Sequence, residues 1–258
     1  MRNMKLSTLS ILVLFGVVLG SVGYMLGSLA VVGTSGTQVA RSASTGPGSV
    51  YDTPVPVADF TLTDQTGAKF TFSSTRGKVV LMAFLYTHCG DVCPFSAAKM
   101  RLALQQLGES SKDVELVAIS TDPERDTVPQ IAAYSKALGL YDLWHMVTGP
   151  LPEMRKLYAS LKITVLKAER ADVEDTVKNA ADVGITLPTK DADSPLFGLT
   201  DQQILDTGKV AKQFAGGYDI AHSAPFWVVD RSGNVRTSLD VSASPVQLVE
   251  AIKAYLKG

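Results

Sequence analysis

The chain has 258 residues, of which 46% are hydrophobic, and a formal net charge of -1. This length suits one good-sized domain with a leader, or two small domains. Because the charge is near neutral and no basic stretch stands out, nothing indicates a nucleic-acid partner. The two cysteines are too few for a disulfide scaffold, and their closeness in an otherwise cysteine-free chain favours redox or metal chemistry.

A long apolar segment without charged residues follows Arg2 and Lys5 and ends at Arg41. Its apolar run, residues 6–32, exceeds the roughly 20 residues that a membrane-spanning helix needs. The two positive charges before it place the N-terminus in the cytoplasm. We therefore predict that residues 1–33 are a single-pass anchor in the inner (cytoplasmic) membrane, with the C-terminal domain on the periplasmic side. A signal peptide cleaved after residue 30 is the alternative, and both interpretations export the domain.

The rest of the chain divides into a linker and one domain. Residues 34–56 are rich in Gly, Ser, Thr and Pro, which predicts a flexible linker. Residues 57–258 carry alternating strand and helix patterns, which predict an α/β domain built as a three-layer sandwich with a mixed sheet. The expected strands are 60–64, 70–72, 79–86, 114–119, 143–147, 225–230 and 235–239, and the expected helices begin at 94, 127, 152 and 246.

A polar and mixed segment interrupts this domain at about residues 164–217. It has short helical patterns at 172–181 and 200–214 and leads directly into His222. We expect it to be an insertion that packs on the surface.

The residues that carry chemistry concentrate at 87–94, which reads Thr-His-Cys-Gly-Asp-Val-Cys-Pro. A buried strand ends before this loop, and Pro94 is a favoured first helical residue. The partial positive charge of a helix N-terminus stabilises a thiolate, which is both a nucleophile and a metal ligand. Cys89 and Cys93 therefore have the spacing to form a disulfide or to close on one ion. The spacing alone does not separate redox use from metal use.

His222 is the best candidate for a further ligand among the three histidines. Two thiolates and one imidazole form a soft donor set that suits copper. His88 lies directly beside Cys89 and is expected to be a loop residue with a modulating role. His145, at a predicted strand start, is expected to be structural.

Two motifs carry a resemblance to a known family. Residues 87–94, followed by Ser-Thr-Asp-Pro-Glu-Arg-Asp-Thr at 120–127, resemble the Sco/SenC family, which has Thr-x-Cys-x-x-x-Cys-Pro, Ser-x-Asp-Pro-x-Arg-Asp-Thr and a distant histidine. The resemblance covers roughly residues 55–163 and 217–258. It implies a membrane-anchored, thioredoxin-like metallochaperone that holds copper, as Cu(I) or Cu(II), through Cys89, Cys93 and His222. The implied partner is the copper-site subunit of cytochrome c oxidase, whose dinuclear site the family assembles, or another copper chaperone.

The sequence departs from the family pattern at a few positions. Ala221 stands where the family usually has an aspartate before its histidine, so either ligation is weaker or Asp219 takes over the orienting role. The insertion at 164–217 is longer than in the family and suits a lid, a partner surface or decoration. Pro225 stands where thioredoxin-like folds commonly place a cis-proline facing the cysteines, which favours thiol chemistry.

The second motif has a structural interpretation of its own. Asp122, Arg125 and Asp126 follow a predicted strand, which indicates a loop held by a salt bridge and a cap for the next helix.

Two other functions use the same cysteines. One is a thiol-disulfide oxidoreductase that keeps the cysteines of a partner protein reduced, and the other is a copper or redox sensor. Copper binding needs His222 and disulfide exchange does not, so this residue separates the first two hypotheses.

Overall fold

The computed structural model describes residues 48–168, 198–214 and 216–257. All of these residues belong to one compact unit. The predicted anchor at 1–33 and the helical pattern at 172–181 lie outside these ranges. Within them, no helix is both long enough and apolar enough to cross a membrane.

The described residues form ten strands and five α-helices. The strands are β1 (Gly48–Pro56), β2 (Thr61–Asp64), β3 (Lys69–Thr71), β4 (Val79–Leu85), β5 (Val114–Ser120), β6 (His145–Thr148), β7 (Val165–Ala168), β8 (Asp219–His222), β9 (Phe226–Val229) and β10 (Asn234–Leu239). The helices are α1 (Val92–Leu107), α2 (Val128–Ala137), α3 (Leu151–Leu161), α4 (Asp201–Phe214) and α5 (Pro245–Leu256). Two short 3₁₀ helices, Phe72–Thr75 and Gly108–Asp113, precede β4 and β5.

Eight strands form one mixed sheet in the order β1-β10-β9-β4-β5-β6-β2-β3. β4 pairs parallel with β5, and β5 with β6, whereas β9 and β10 run antiparallel to their neighbours. Strands β7 and β8 form a separate two-stranded antiparallel sheet. This arrangement confirms the predicted mixed sheet.

The core lies on both faces of the main sheet. All seven residues of β4 are buried, as its apolar run predicts. Side chains from one face of β4, such as Leu81, pack with Met100 of α1 and Leu248 of α5. Side chains from the other face, such as Met82, pack with Met154 of α3. Helices therefore cover both faces, and the domain is the predicted three-layer α/β sandwich.

The predicted linker is wrong over its last nine residues. Gly48–Pro56 forms β1, which pairs antiparallel with β10 at the edge of the sheet. Most of its side chains are exposed, so the strand lacks the alternating apolar pattern that sequence analysis detects. A Cβ at position 48 would lie 2.6 Å from the Ser238 carbonyl oxygen, so glycine permits the close backbone approach there.

The described parts of the predicted insertion pack on the domain. Helix α4 confirms the helical pattern at 200–214. Its Phe214 ring meets Tyr134 of α2 edge-on, with the ring centroids 5.3 Å apart. The segment begins as β7, which pairs with β8, the strand that carries His222.

Candidate metal centre

Both cysteines lie at the connection between β4 and α1. Cys89 is in the connecting loop, and Cys93 is the second residue of the helix. Both thiols are free and buried, with 5% of Cys89 and 0% of Cys93 exposed. The Cys93 amide donates a hydrogen bond to the Cys89 sulfur at 3.4 Å. A helix N-terminus thus points at Cys89, as the sequence predicts, although the helix starts at Val92 rather than at Pro94.

The two thiols differ in acidity. A hydrogen bond from the Cys93 thiol lowers the pKa of Cys89 despite its burial, with help from the backbone amides of Cys93 and Asp91. Burial raises the pKa of Cys93 well above its usual range, and the neighbouring Cys89 raises it further. Cys89 is therefore the sulfur that ionises first.

His222 reaches the same place from the separate two-stranded sheet. Its Nε2 lies 3.9 Å from the Cys93 sulfur, and its Nδ1 lies 3.0 Å from the Ser223 carbonyl oxygen. Because a carbonyl oxygen only accepts hydrogen bonds, Nδ1 carries the proton and the Nε2 lone pair faces the sulfur. Burial lowers the pKa of His222, although the Ser223 bond acts in the opposite direction. The imidazole is therefore neutral near pH 7, which is the form that binds metals.

A pocket of about 460 Å³ opens onto these side chains. Cys89, His222 and Tyr86 all line it. The Tyr86 and His222 rings meet edge-on, with their centroids 5.8 Å apart. The site is thus a half-enclosed space that holds sulfur and nitrogen donors.

The donor set fits a soft metal ion. As the side chains stand, the described residues include no group of three His, Cys, Asp or Glu side chains already arranged around one ion. The 3.9 Å between Cys93 and His222 is nevertheless short enough for one ion to contact both, because metal–sulfur and metal–nitrogen bonds measure about 2.3 and 2.1 Å. Cys89 lines the same pocket and supplies the thiolate that forms most readily. Thiolates with imidazole suit copper among the first-row metals.

Of the other two histidines, His88 lies in the cysteine loop and His145 begins β6, as predicted, whereas a modulating role for His88 stays a prediction. His88 also lines the pocket, and its Nδ1 lies 2.9 Å from the Thr87 hydroxyl. Burial lowers the pKa of His88, as does nearby Arg125. His145 Nδ1 lies 2.9 Å from an Asp64 carboxylate oxygen, within the packing of β2 against β6.

The orienting group of His222 is not the one we expected. Asp219 receives its hydrogen bond from the Tyr86 hydroxyl at 3.4 Å, and the Ser223 carbonyl binds His222 instead. Tyr86 also accepts a hydrogen bond from the Ile220 amide at 3.2 Å. Asp219 therefore binds the Tyr86 hydroxyl and not the His222 ring. The expectation that Asp219 replaces the family aspartate in orienting His222 is wrong.

The loop at 120–127 forms hydrogen bonds with the cysteine loop at 87–94, a contact that sequence analysis missed. Asp122 and Arg125 form the expected ion pair. Asp126, however, does not cap α2: it is buried and accepts hydrogen bonds from the Thr87 amide at 3.1 Å, the Thr87 hydroxyl at 2.6 Å and the Ser120 hydroxyl at 2.6 Å. Burial raises the pKa of Asp126 to about 6. Since β4 and β5 are parallel neighbours, the loops that follow them meet at the same end of the sheet. This parallel pairing is the signal from which the contact between the two loops could have been predicted.

The expected cis-proline is absent. The described residues contain no cis peptide bond, so the bond before Pro225 is trans. Pro225 therefore gives no support to thiol chemistry.

The fold and site define a thioredoxin-like protein with a buried cysteine pair and an opposing histidine. The SCO1/SenC family model matches residues 51–205, which is more than half of the chain. The chain therefore belongs to the SCO1/SenC family.

Curated relatives match over part of their length. The chain is 33% identical over 127 residues to "Protein SCO1 homolog 1, mitochondrial" of Arabidopsis thaliana, which covers 47% of this chain and 36% of the relative. It is 31% identical over 119 residues to "SCO1 protein homolog" of Bacillus subtilis (strain 168), covering 45% of this chain and 62% of the relative. It is 27% identical over 129 residues to "Putative copper-binding protein" of Stutzerimonas stutzeri, covering 49% and 62%. Each match thus spans less than two thirds of the relative.

Solved structures share the fold. The Bradyrhizobium japonicum ScoI structure with copper bound is 26% identical, with a TM-score of 0.54 over 78% of this chain and 99% of that one. The Arabidopsis thaliana ScoI structure with copper bound has a TM-score of 0.57 at 22% identity, over 79% of this chain and 99% of that one. These likenesses support the thioredoxin-like fold.

Proposed function

We propose that this protein is a copper metallochaperone whose ligands are Cys89, Cys93 and His222. The observation that carries the proposal is the approach of the His222 Nε2 lone pair to the Cys93 sulfur, 3.9 Å away, beside a second thiol. The copper named in the S. stutzeri relative and in the ScoI structure from B. japonicum supports the choice of metal. The recipient we propose is the copper-site subunit of cytochrome c oxidase during assembly of its dinuclear site, or another copper chaperone.

The protein's residues prepare the donors unequally. Cys89 is the more acidic thiol, whereas Cys93 keeps its proton because it is fully buried. Binding at Cys93 must therefore release that proton. His222 enters as a neutral imidazole and releases none. Copper, as Cu(I) or Cu(II), would be held by soft donors in a pocket that is only partly open to water.

We also propose that residues 1–33 anchor the domain outside the cytoplasm. In that oxidising space the two thiols are exposed to disulfide formation, so reduction has to precede copper loading. The full chain should then remain with membranes through carbonate and high-salt extraction. A soluble form whose N-terminus is residue 31 would show a cleaved signal peptide instead.

A thiol-disulfide oxidoreductase is the second candidate. The specific observation in its favour is the acidity difference between Cys89 and Cys93, since an ionised thiol next to a protonated one suits disulfide exchange. This activity needs both sulfurs but does not need His222.

A copper titration of the reduced protein separates the two candidates. Under anaerobic conditions, with a competing Cu(I) chelator, Cys89→Ser and Cys93→Ser should each abolish tight binding, because a soft ion gains little from a hydroxyl. His222→Ala should weaken copper binding and leave disulfide formation intact. His145→Ala is the matched control, since His145 binds Asp64 and not the site. If His222→Ala keeps both wild-type copper affinity and wild-type thiol exchange, His222 is not a copper ligand and the oxidoreductase replaces the chaperone.

A further inference from the structure

The position of His222 depends on a small sheet that lies outside the main one. His222 pairs with Val165 at one end of the β7–β8 sheet, and Asp219 pairs with Ala168 at the other. Two strands of four residues are marginal by themselves, so their contacts with the rest of the domain decide where they lie. At the His222 end, Thr164 and Ser223 exchange two hydrogen bonds of 3.1 Å, but these join the small sheet only to itself.

At the opposite end, four side chains form what we call the Arg125–Tyr218 cluster: Asp122, Arg125, Lys167 and Tyr218. The Tyr218 ring contacts two cations, with the Arg125 guanidinium 3.6 Å and the Lys167 ammonium 3.8 Å from its centroid. The Tyr218 hydroxyl donates to the Asp122 carboxylate at 2.7 Å. Cation–π pairs of this kind are stronger when they are shielded from water.

Arg125 also holds the chain that leads into β8. Its Nη1 donates to the Gly216 carbonyl at 2.8 Å, and its Nε pairs with Asp122. A Cβ at Gly217 would lie 2.8 Å from the same Nη1, and Gly217 has a φ of +76°. Glycine at 217 therefore lets the guanidinium press against the backbone just before the strand.

The loop that carries Arg125 also contacts the cysteine side of the site. Asp126, next to Arg125, accepts two hydrogen bonds from Thr87, which lies two residues before Cys89. Ser120 connects the two acids, because its hydroxyl donates to Asp126 and accepts from the Asp122 amide at 3.1 Å. In this one loop, Asp126 fixes Thr87, and its neighbour Arg125 fixes the chain that leads into β8.

We propose that Arg125 is a positioning residue which, through the Arg125–Tyr218 cluster, keeps the β7–β8 sheet docked so that His222 stays beside Cys93. It touches neither the sulfurs nor the imidazole. Its expected effect on copper binding rests on the proposed function, whereas its effect on the metal-free sheet does not.

The metal-free test is hydrogen exchange in the reduced full chain, purified in detergent. The Ile220 amide reports on docking, since it donates to Tyr86, the residue after β4, only when the small sheet is in place. Arg125→Gln should speed its exchange by about tenfold, as expected if the undocked population rises by that factor. Arg236→Gln is the matched control, because Arg236 also pairs with an aspartate, Asp230 at 3.4 Å, and lies over a tyrosine, Tyr255 at 5.3 Å, in the β9–β10 region. Unchanged Ile220 protection in Arg125→Gln overturns the proposal.

The copper-dependent test is a double-mutant cycle with His222→Ala. Arg125→Gln should weaken copper affinity by about tenfold in the wild-type background and have no further effect once His222 is gone, because both changes remove the same ligand. An equal loss in both backgrounds would place its effect on the cysteines or the fold and overturn the proposal. Arg125→Lys should bind copper more tightly than Arg125→Gln but less tightly than wild type, since lysine keeps the positive charge but lacks the several N–H donors of the planar guanidinium.

If the wild-type chain binds no copper tightly, the proposed function fails, and the Ile220 exchange rate still decides the role of Arg125. If Arg125→Gln does not fold, Tyr218→Leu takes its place, because it removes the ring that both cations contact and leaves Asp122 and Arg125 paired. Tyr218→Leu with wild-type Ile220 protection overturns the proposal equally.

Discussion

The Cys93 sulfur and the His222 Nε2 are 3.9 Å apart, although 129 positions separate the two residues in the sequence. Cys93 is held by a helix that follows a central strand of the main sheet, and His222 by the two-stranded sheet. The site therefore exists only when these two substructures are correctly placed.

Copper affinity should fall as the pH falls. Burial raises the pKa of Cys93, so its proton is still bound at neutral pH and must leave when the sulfur ligates the metal. Each bound proton that copper displaces lowers the apparent affinity by up to about tenfold per pH unit. Competition titrations with Cu(I) between pH 6 and 8 measure this slope. A flat profile would show that Cys93 does not bind copper as a thiolate.

Asp126→Asn should change how stability depends on pH. Burial raises the pKa of Asp126 to about 6, so the folded state holds its proton more tightly than the unfolded state does. The stability contributed by that proton is complete below about pH 4 and is lost as the pH rises through 6. The free energy of unfolding of wild type relative to Asp126→Asn should therefore drop by about 2 kcal/mol between pH 4 and 7. Urea titrations at a series of pH values measure it.

Asp64→Asn provides a control with the opposite sign. Burial acts to raise the pKa of Asp64, but hydrogen bonds from Thr66 and His145 outweigh it and lower that pKa. The stability contributed by the Asp64 carboxylate is therefore present above its unfolded pKa and lost as the pH falls. If both variants show the same slope relative to wild type, the assignment for Asp126 is wrong.

Tyr86→Phe should destabilise the protein by about 1–2 kcal/mol. The lost hydroxyl accepts the Ile220 amide and donates to Asp219, so its removal leaves a buried amide without a partner. Chemical denaturation measures the change. Tyr134→Phe is the matched control, since the buried Tyr134 hydroxyl has no hydrogen-bond partner among the residues that the structure describes. A larger loss for Tyr134→Phe than for Tyr86→Phe would contradict this assignment.

The sequence predicts the central elements and the cysteine loop because those signals are local. The eight-residue apolar run at 79–86 favours a strand covered on both faces, and β4 is buried throughout. β1 was missed because an exposed edge strand forms through backbone pairing with β10 and shows no apolar alternation. The fold and the two sulfurs could therefore be predicted, but not the edge of the sheet.

The contacts that support the site are long-range, which is why sequence analysis missed them. Thr87 and Asp126 are 39 positions apart, and Tyr218 and Asp122 are 96 apart. The pattern at 120–127 correctly indicated a salt bridge. It could not show that Asp126 turns back to Thr87 instead of capping α2, because that choice depends on where β4 ends in space.

Removing β1 should weaken the domain. Deleting residues 1–56 takes away the strand that pairs with β10, whereas deleting residues 1–47 leaves it complete. We expect the shorter protein to melt about 4–8 °C lower, which corresponds to about 2 kcal/mol for a domain of this size. Thermal unfolding of the two forms measures the difference. Equal melting temperatures would show that the strand adds nothing to stability and would restore the linker prediction.

The unequal depth of the two sulfurs imposes an order in time on any thiol exchange. Cys89 lines the pocket, whereas Cys93 is fully covered and does not. An incoming disulfide or alkylating reagent therefore reacts with Cys89 first. Cys93 can react only afterwards, by attacking the mixed disulfide that has formed at Cys89. Mixed disulfides trapped with a small reagent should accordingly form at Cys89 and accumulate in Cys93→Ser, where no second sulfur is left to resolve them.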